Sequence, residues 1–452
     1  MLHRCLKSGL LLLSCAAAVI IGHAGESCDP IKTFADGKSP QREIFVSPSG
    51  DNSNGDGSRA KPFQTVVRAL QGVQANDAIR LLPGRYNGGI SAANLSGSPE
   101  APIWVGGVPG EQRPVISGGS GGIHLGRVRY LVLENLEVEG ATGNGINCDD
   151  ASDYANSNAT RFVVFRNLLI HDIGTGKNND GLKLSGVNDF WVVDCEFAKI
   201  SANGSAIDHV GCHRGVVARC SFTDCGNAVQ CKGGSEDIEI RGNRFLRAGG
   251  RAVNIGGSTG FTFFRPPLSK ERANYESRNI RVVANLFEGS DAPVAFVGAV
   301  ESLVANNTII NPTRWVARIL QETNSKDGYQ FLPCSNNEFS NNLIWYQRSA
   351  VGAHVNVGAN TDAASFKFGN NLWYAHDRPA NSQPSLPVSE QNGIVGQDPK
   401  FKDVAARDYQ LDPGSPALAR GKKIPSLKAD LLERCYGDPP SIGAFEANPA
   451  KQ

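Results

Sequence analysis

The 452-residue chain is predicted to be all-β, a solenoid in which short parallel strands stack coil upon coil. Three observations predict this. A short apolar phrase recurs nine times and aligns on one column: Asn135, Asn167, Cys195, Cys220, Asn243, Asn285, Asn307, Asn342 and Asn371. Its shortest intervals, 22, 23 and 25 residues, each match one coil. The composition, with 51 glycines, 24 prolines and one methionine, supplies turns and argues against a helical body. An amide at one point per coil can donate to one neighbour and accept from the other, so the column reads as an asparagine ladder with two cysteine rungs.

The elements follow in order. His3, Arg4 and Lys7 precede an uncharged apolar run from Ser8 to Gly22, which ends at a Gly22-His23-Ala24 cleavage pattern. Residues 1–24 therefore read as a signal peptide, and the protein is expected to be secreted or periplasmic. Leu12-Leu13-Ser14-Cys15 resembles a lipoprotein cleavage box, but the apolar run continues past Cys15 to Ile21. No later segment is apolar enough to span a membrane. A net charge of +1 offers no footprint for nucleic acid.

Residues 25–120 are assigned to an N-terminal cap and the first coils. A strand over 44–48, a polar turn over 51–57 and a helical pattern over 62–70 would cover the open end, which otherwise exposes core and unpaired strand edge. The turn lacks the spacing of an EF-hand calcium loop. Residues 121–375 form the solenoid core, and the Pro-rich segment 376–452 closes it. A solenoid's core lengthens with each coil, so one continuous domain and a monomer are expected.

Nine cysteines remain once Cys5 and Cys15 leave with the leader, and an odd number leaves at least one thiol unpaired within the chain. Cys212, Cys220, Cys225 and Cys231 fall within two coils and read as a buried sulfur stack holding one disulfide. Their spacing lacks the paired C-x2-C signature of a zinc site.

The phrase Pro62-Phe63-x-Thr65, the asparagine repeats and the ending Pro413-Gly414-Ser415-Pro416-Ala417 together resemble the secreted right-handed parallel β-helix proteins that include pectate lyases and related polysaccharide lyases. The resemblance covers residues 44–446. It implies a right-handed parallel β-helix, but one fold hosts lyases, hydrolases, epimerases and inert binding proteins.

Chemistry is therefore sought in a second column. Stacking 145–149, 181–185, 206–210, 228–232 and 252–256 in register points Ile146, Leu182, Ile207, Val229 and Val253 inward. Asn147, Lys183, Asp208, Gln230 and Asn254 then form one outward row, and Asp149, Ser185, Val210, Lys232 and Gly256 the next. Asn144, Asp180 and Arg251 lie just before these strands. Insertions over 150–160 and 258–278 would wall a groove, and Phe261, Phe263, Phe264 and Tyr275 would offer faces for sugar stacking. His209 falls on an inward, boundary position and His171 in a turn. Outward rows on any solenoid are polar, and a Lys–Asp neighbour pair is often only solvated charge. Concentration favours function, because later coils show Ala295, Phe296, Val297 and Gly298 at the same place.

The lyases that this chain resembles break an acidic polysaccharide by β-elimination, removing the C5 proton beside a neutralised uronate carboxylate. That implies Lys232 as base with Lys183 as its rival, and Arg251 as carboxylate clamp. It also implies calcium on Asp149, Asp180 and Asp208, although the tight aspartate run of those sites is missing. Asn147, Gln230, Asn254 and His209 are the remaining candidate substrate contacts. Asn178-Asn179-Asp180-Gly181 also resembles the Asn-x-Asp-Gly phrase of polygalacturonase-type hydrolases, whose other motifs are absent. An epimerase or a non-catalytic carbohydrate-binding protein remains an open alternative.

Overall fold

The computed structural model describes residues 27–174 and 179–447. The expected signal peptide, Cys15 and Asn178 lie outside them. Each typical coil contributes one short strand to each of three parallel sheets. The first sheet runs from Arg42–Val46 to Lys367–Gly369, the second from Arg85–Asn87 to Ile394–Val395, and the third from Ile90–Ala93 to Ala353–Val357. One coil shows the path: Thr160–Arg166, Leu169–Ile173, Leu182–Ser185, then Val187–Val193 back beside the start. Inward side chains repeat with the coil. Phe197, Phe222, Phe245 and Phe287 stack with ring centroids 5.1, 4.8 and 4.5 Å apart, close to the roughly 4.8 Å between hydrogen-bonded strands.

The register corrects the first column. Leu136, Leu168, Cys195, Cys220, Asn243, Asn285, Asn307, Asn342 and Asn371 occupy one buried position. Asn135 and Asn167 stand one residue earlier, on a corner whose residues, continuing through Asp194, Arg219, Gly242, Ala284, Asn306, Asn341 and Asn370, all have left-handed φ between 52° and 66°. Asparagine suits both columns, as a buried amide and as a residue that tolerates the left-handed region. The true ladder therefore begins at Asn243. Each amide donates to the next rung at 2.9–3.1 Å, and Asn371 ends the series on Glu390 at 2.7 Å.

The N-terminal helix is shorter than its sequence pattern. It spans Val66–Leu70, with Thr65 as N-cap accepting from the Arg68 backbone N–H, while Phe63 instead bridges to Val46 in parallel. The closing segment does more than cover the last coil. It fills the left-handed corner, where Asn306, Asn341 and Asn370 donate to the carbonyls of Ser441, Lys422 and Arg420. It also runs back far enough for Cys435 to bond Cys28. That disulfide corrects the expected one. Cys212, Cys220, Cys225 and Cys231 are free thiols, as are Cys148, Cys195 and Cys334, and all are buried. Burial pushes Cys212 and Cys225 up to about 12, so these sulfurs serve as small apolar packing groups.

Candidate functional site

The third sheet carries the candidate site because its strands are followed by the two long insertions. Asn147, Lys183, Asp208, Gln230 and Asn254 are register partners on consecutive coils. Asp149, Ser185, Val210 and Lys232 form the neighbouring row. Beside these rows lies a cavity of about 390 Å³. Lys183, Lys232, Asn147 and Asp149 line it from the sheet, Asp150 and Tyr154 from the first insertion, and Thr259, Phe263 and Arg265 from the second.

Four charged groups alternate along the floor. Lys183 Nζ donates to Asp180 Oδ2 at 3.0 Å and also to Asp208 Oδ2, and Lys232 Nζ lies 3.3 Å from Asp208 Oδ1. Both carboxylates are buried beneath the lysines. Burial opposes the Lys183 ammonium, but Asp208 and Asp180 outweigh it and lift the amine above the ordinary lysine value. Burial likewise opposes the Asp208 carboxylate, yet Lys183 and Lys232 hold it below the usual range. Asp180 is raised, by burial first and then by the charge of Asp208. Lys183 is thus a fixed cation between two anions. Lys232 has one anionic partner, at one end, and faces the cavity.

This donor set does not suit calcium. Calcium takes roughly six to eight oxygen ligands, whereas the Lys183 ammonium occupies the space between Asp180 and Asp208. Asp149 does not converge on them; its Oδ2 lies 2.8 Å from His124 Nε2 and also accepts from Asn147. Among the described residues, the histidine and carboxylates whose ligand atoms gather within 4.8 Å are His171, Glu137 and Glu139. They lie on the second sheet, away from the cavity. His171 belongs to the strand Leu169–Ile173, not to a turn.

Of the other expected contacts, Gln230 does not line the cavity and accepts from the Ser205 hydroxyl at 3.3 Å, and three more turn away from it. His209 is inside the helix, fully buried, with Nδ1 2.9 Å from the Gln230 carbonyl and its ring against Phe190. Burial lowers it to about 4. Asn254 is buried, accepting from Arg251 and donating to the Gly256 carbonyl. Arg251 itself pairs with Glu322 at 2.6 Å and does not line the cavity. Of the four aromatics, only Phe263 faces the cavity, 52% exposed. Phe264 is buried, Phe261 packs on Tyr329 and Phe331, and Tyr275 donates to Glu236.

Residue patterns alone missed the group that sets the walls. Arg265 donates to Asp150 through Nε at 2.8 Å and Nη2 at 3.0 Å, a buried bidentate pair joining the two insertions. Its guanidinium also lies 4.3 Å from the Tyr154 ring centroid. Gly211 and Gly186 make room for it: a Cβ on Gly211 would come within 2.5 Å of the Arg265 side chain, and one on Gly186 within 2.3 Å of Asp150. Two glycines with left-handed φ, 61° and 68°, immediately after strands of the third sheet were the available signal. Glu276 anchors the second insertion, accepting from the Gly233 and Thr259 backbone N–H groups and the Thr259 and Thr323 hydroxyls.

The comparisons agree with this architecture. Residues 121–309 match the family described as right handed beta helix region, and residues 48–92 match a family of unknown function, DUF1565. A comparison with curated proteins found no match. Among solved structures, pectate lyase Pel9A aligns over 91% of this chain and 98% of its own, at 17% identity and a TM-score of 0.54. The complex of XylC with xylose aligns over 89% and 98%, at 10% identity and 0.54. A rhamnogalacturonan lyase aligns over 76% and 90%, at 14% identity and 0.48. The chain is a right-handed parallel β-helix with the fold of pectate lyase.

Proposed function

We propose that this protein is a polysaccharide lyase that cleaves a uronate-containing chain by β-elimination, with Lys232 as the base. The observation that carries the reading is the asymmetry of the two lysines in one walled cavity. Lys183 is held as an ammonium by two buried carboxylates, so it can stabilise negative charge but cannot readily accept a proton. Lys232 presents its amine to the cavity beside that fixed cation. In this reading the remaining N–H of the Lys183 ammonium donates to a uronate carboxylate, with the Arg265 guanidinium on the wall beside it, and these contacts acidify the C5 proton. Lys232 in its neutral form takes that proton, the C5–H electrons form a C4=C5 double bond as the C4–O bond breaks, and the departing oxygen is protonated from solvent. Phe263 provides a ring face for the sugar.

A hydrolase fits less well. Its acid and base would need two available carboxylates, but Asp180 and Asp208 lie under Lys183, Asp150 is locked to Arg265, and Asp149 is bonded to His124 and Asn147. We propose that the enzyme acts outside the cytoplasm, a reading that rests on the leader expected at residues 1–24.

The test is to incubate the purified protein with a panel of uronans and follow the ultraviolet absorbance of the unsaturated product. Lys232→Ala should reduce turnover by about 10²–10⁴-fold, the usual contribution of a positioned base, without altering thermal unfolding. Reducing ends without absorbance would mean hydrolysis. Glycan binding with neither product would mean a binding protein.

A further inference from the structure

The first outward row does not stop at the cavity. Beyond Asn254 it continues through Ala295 and Arg318 to Asn356. On the intervening strand, Ala292–Val297, this row holds Ala295 and the neighbouring row Val297, both fully buried. Arg251 lies on one side of this apolar floor. Trp315 and Arg318 lie on the other.

The guanidinium carbons of Arg314 and Arg318 sit 4.0 and 4.3 Å from the Trp315 ring centroid, and Arg318 Nε donates to Asn356 at 3.0 Å. One carboxylate, Glu322, answers the three guanidiniums, and it is paired with Arg251. Asp291 on the neighbouring coil is bonded to the Thr313 hydroxyl. Burial, then Arg251, and also Arg314 disfavour the charged form of Arg318, with Glu322 only partly offsetting them. With Asp291 counted beside Glu322, the three guanidiniums carry one positive charge in excess of the carboxylates around them, whereas the cavity's Lys183, Lys232 and Arg265 each lie against a buried aspartate. Like charges gathered on a rigid sheet concentrate an anion there, and a guanidinium's fork suits a carboxylate.

We infer that Arg251, Arg314, Arg318 and Trp315 form a second, distal anion subsite that takes a carboxylate of the same polyuronate chain. This rests on the lyase reading for the identity of the ligand. Arg318 lies three coils from Gln230, the neighbour of Lys232, which is about 14 Å at the strand spacing of about 4.8 Å. A single sugar cannot touch both clusters. A chain laid along the helix axis can, so the subsite selects for polymers bearing repeated negative charge over neutral glycans and over short uronates.

Calorimetry on Lys232→Ala protein, which should not consume its ligand, tests this. The probes are an oligouronate long enough to cover both clusters, one too short to do so, and a neutral oligosaccharide of the longer length. The longer uronate should bind about tenfold or more tighter than the shorter, with an advantage that shrinks as salt rises, and the neutral chain should gain nothing from its length. The double variant Arg314→Gln/Arg318→Gln should lose the advantage, and Arg318→Lys, which keeps a cation, should retain part of it. Persistence of the advantage in the double variant, or its absence in the parent, overturns the inference. So does equal loss in Arg318→Lys and Arg318→Gln with unchanged thermal unfolding. Uronan turnover by the wild type without this length dependence would sink the subsite and leave the lyase standing. Length dependence without turnover would do the reverse.

Discussion

Removing the Asp150 carboxylate should detach one cavity wall from the other, and the size of the effect can be worked from the pair. Arg265 is held by two hydrogen bonds to Asp150, at 2.8 and 3.0 Å, and by one to the Phe263 carbonyl at 2.8 Å. The side chains are 8% and 2% exposed. Asp150→Ala strands a guanidinium that has lost two of these three partners, and breaking a buried pair in this way costs about 3–5 kcal/mol. Arg265 borders the cavity, whose water can rehydrate it, so the lower end, about 3 kcal/mol, is expected. Arg265→Met removes the other partner, and the double variant should be more stable than the two single losses predict, with a coupling of at least about 2 kcal/mol. Urea unfolding measures the coupling. Limited proteolysis within residues 150–160 and 258–278 shows whether the loss is local, since solenoids open in parts. Losses that add within about 0.5 kcal/mol would refute the claim that this pair ties the insertions together.

Three other outcomes follow from the same geometry. Lys183→Met should destabilise by about 3–5 kcal/mol, because it leaves Asp180 and Asp208 buried as like charges; Lys232→Met should cost clearly less, since Asp208 keeps Lys183. Equal losses in urea unfolding would contradict that division. His209 falls from an ordinary 6.5 to about 4 in the fold, so below pH 6.5 the unfolded chain binds a proton that the folded one refuses. Stability should then decline as pH drops from about 6.5 to about 4, by roughly 3 kcal/mol from this residue, and His354, also lowered to about 4, adds to the slope. A His209→Gln variant with an undiminished slope would remove His209 as a cause. Breaking Cys28–Cys435, which spans 407 residues, should cost about 3 kcal/mol, within the usual disulfide range though below the chain-entropy limit of about 6 kcal/mol. Thermal unfolding of Cys28→Ser against the parent reads this, and identical transitions would show the bond to be dispensable.

What could be read without coordinates was whatever repeats. Outward row positions such as Lys183 and Asp208 recur at the coil interval, so aligning one strand fixed their partnership. The same logic failed at Asn135 and Asn167, because asparagine serves two adjacent columns for different reasons, and the later Asn-Asn pairs at 306–307, 341–342 and 370–371 hide the boundary between them. Polarity at an outward position also says nothing about what will cover it. Asn254 vanished under Arg251, and Asp180 and Asp208 under their own lysines. The Arg265–Asp150 pair was illegible for a further reason: its members are 115 residues apart, in insertions that share no period with the coils. A parallel β-helix fixes its floor through local register, so the geometry of the floor follows from the repeat. Its walls are held by a few long-range contacts that the repeat does not dictate, and specificity for one uronan over another is expected to reside there, in Tyr154, Phe263 and Arg265, rather than in the lysines beneath them.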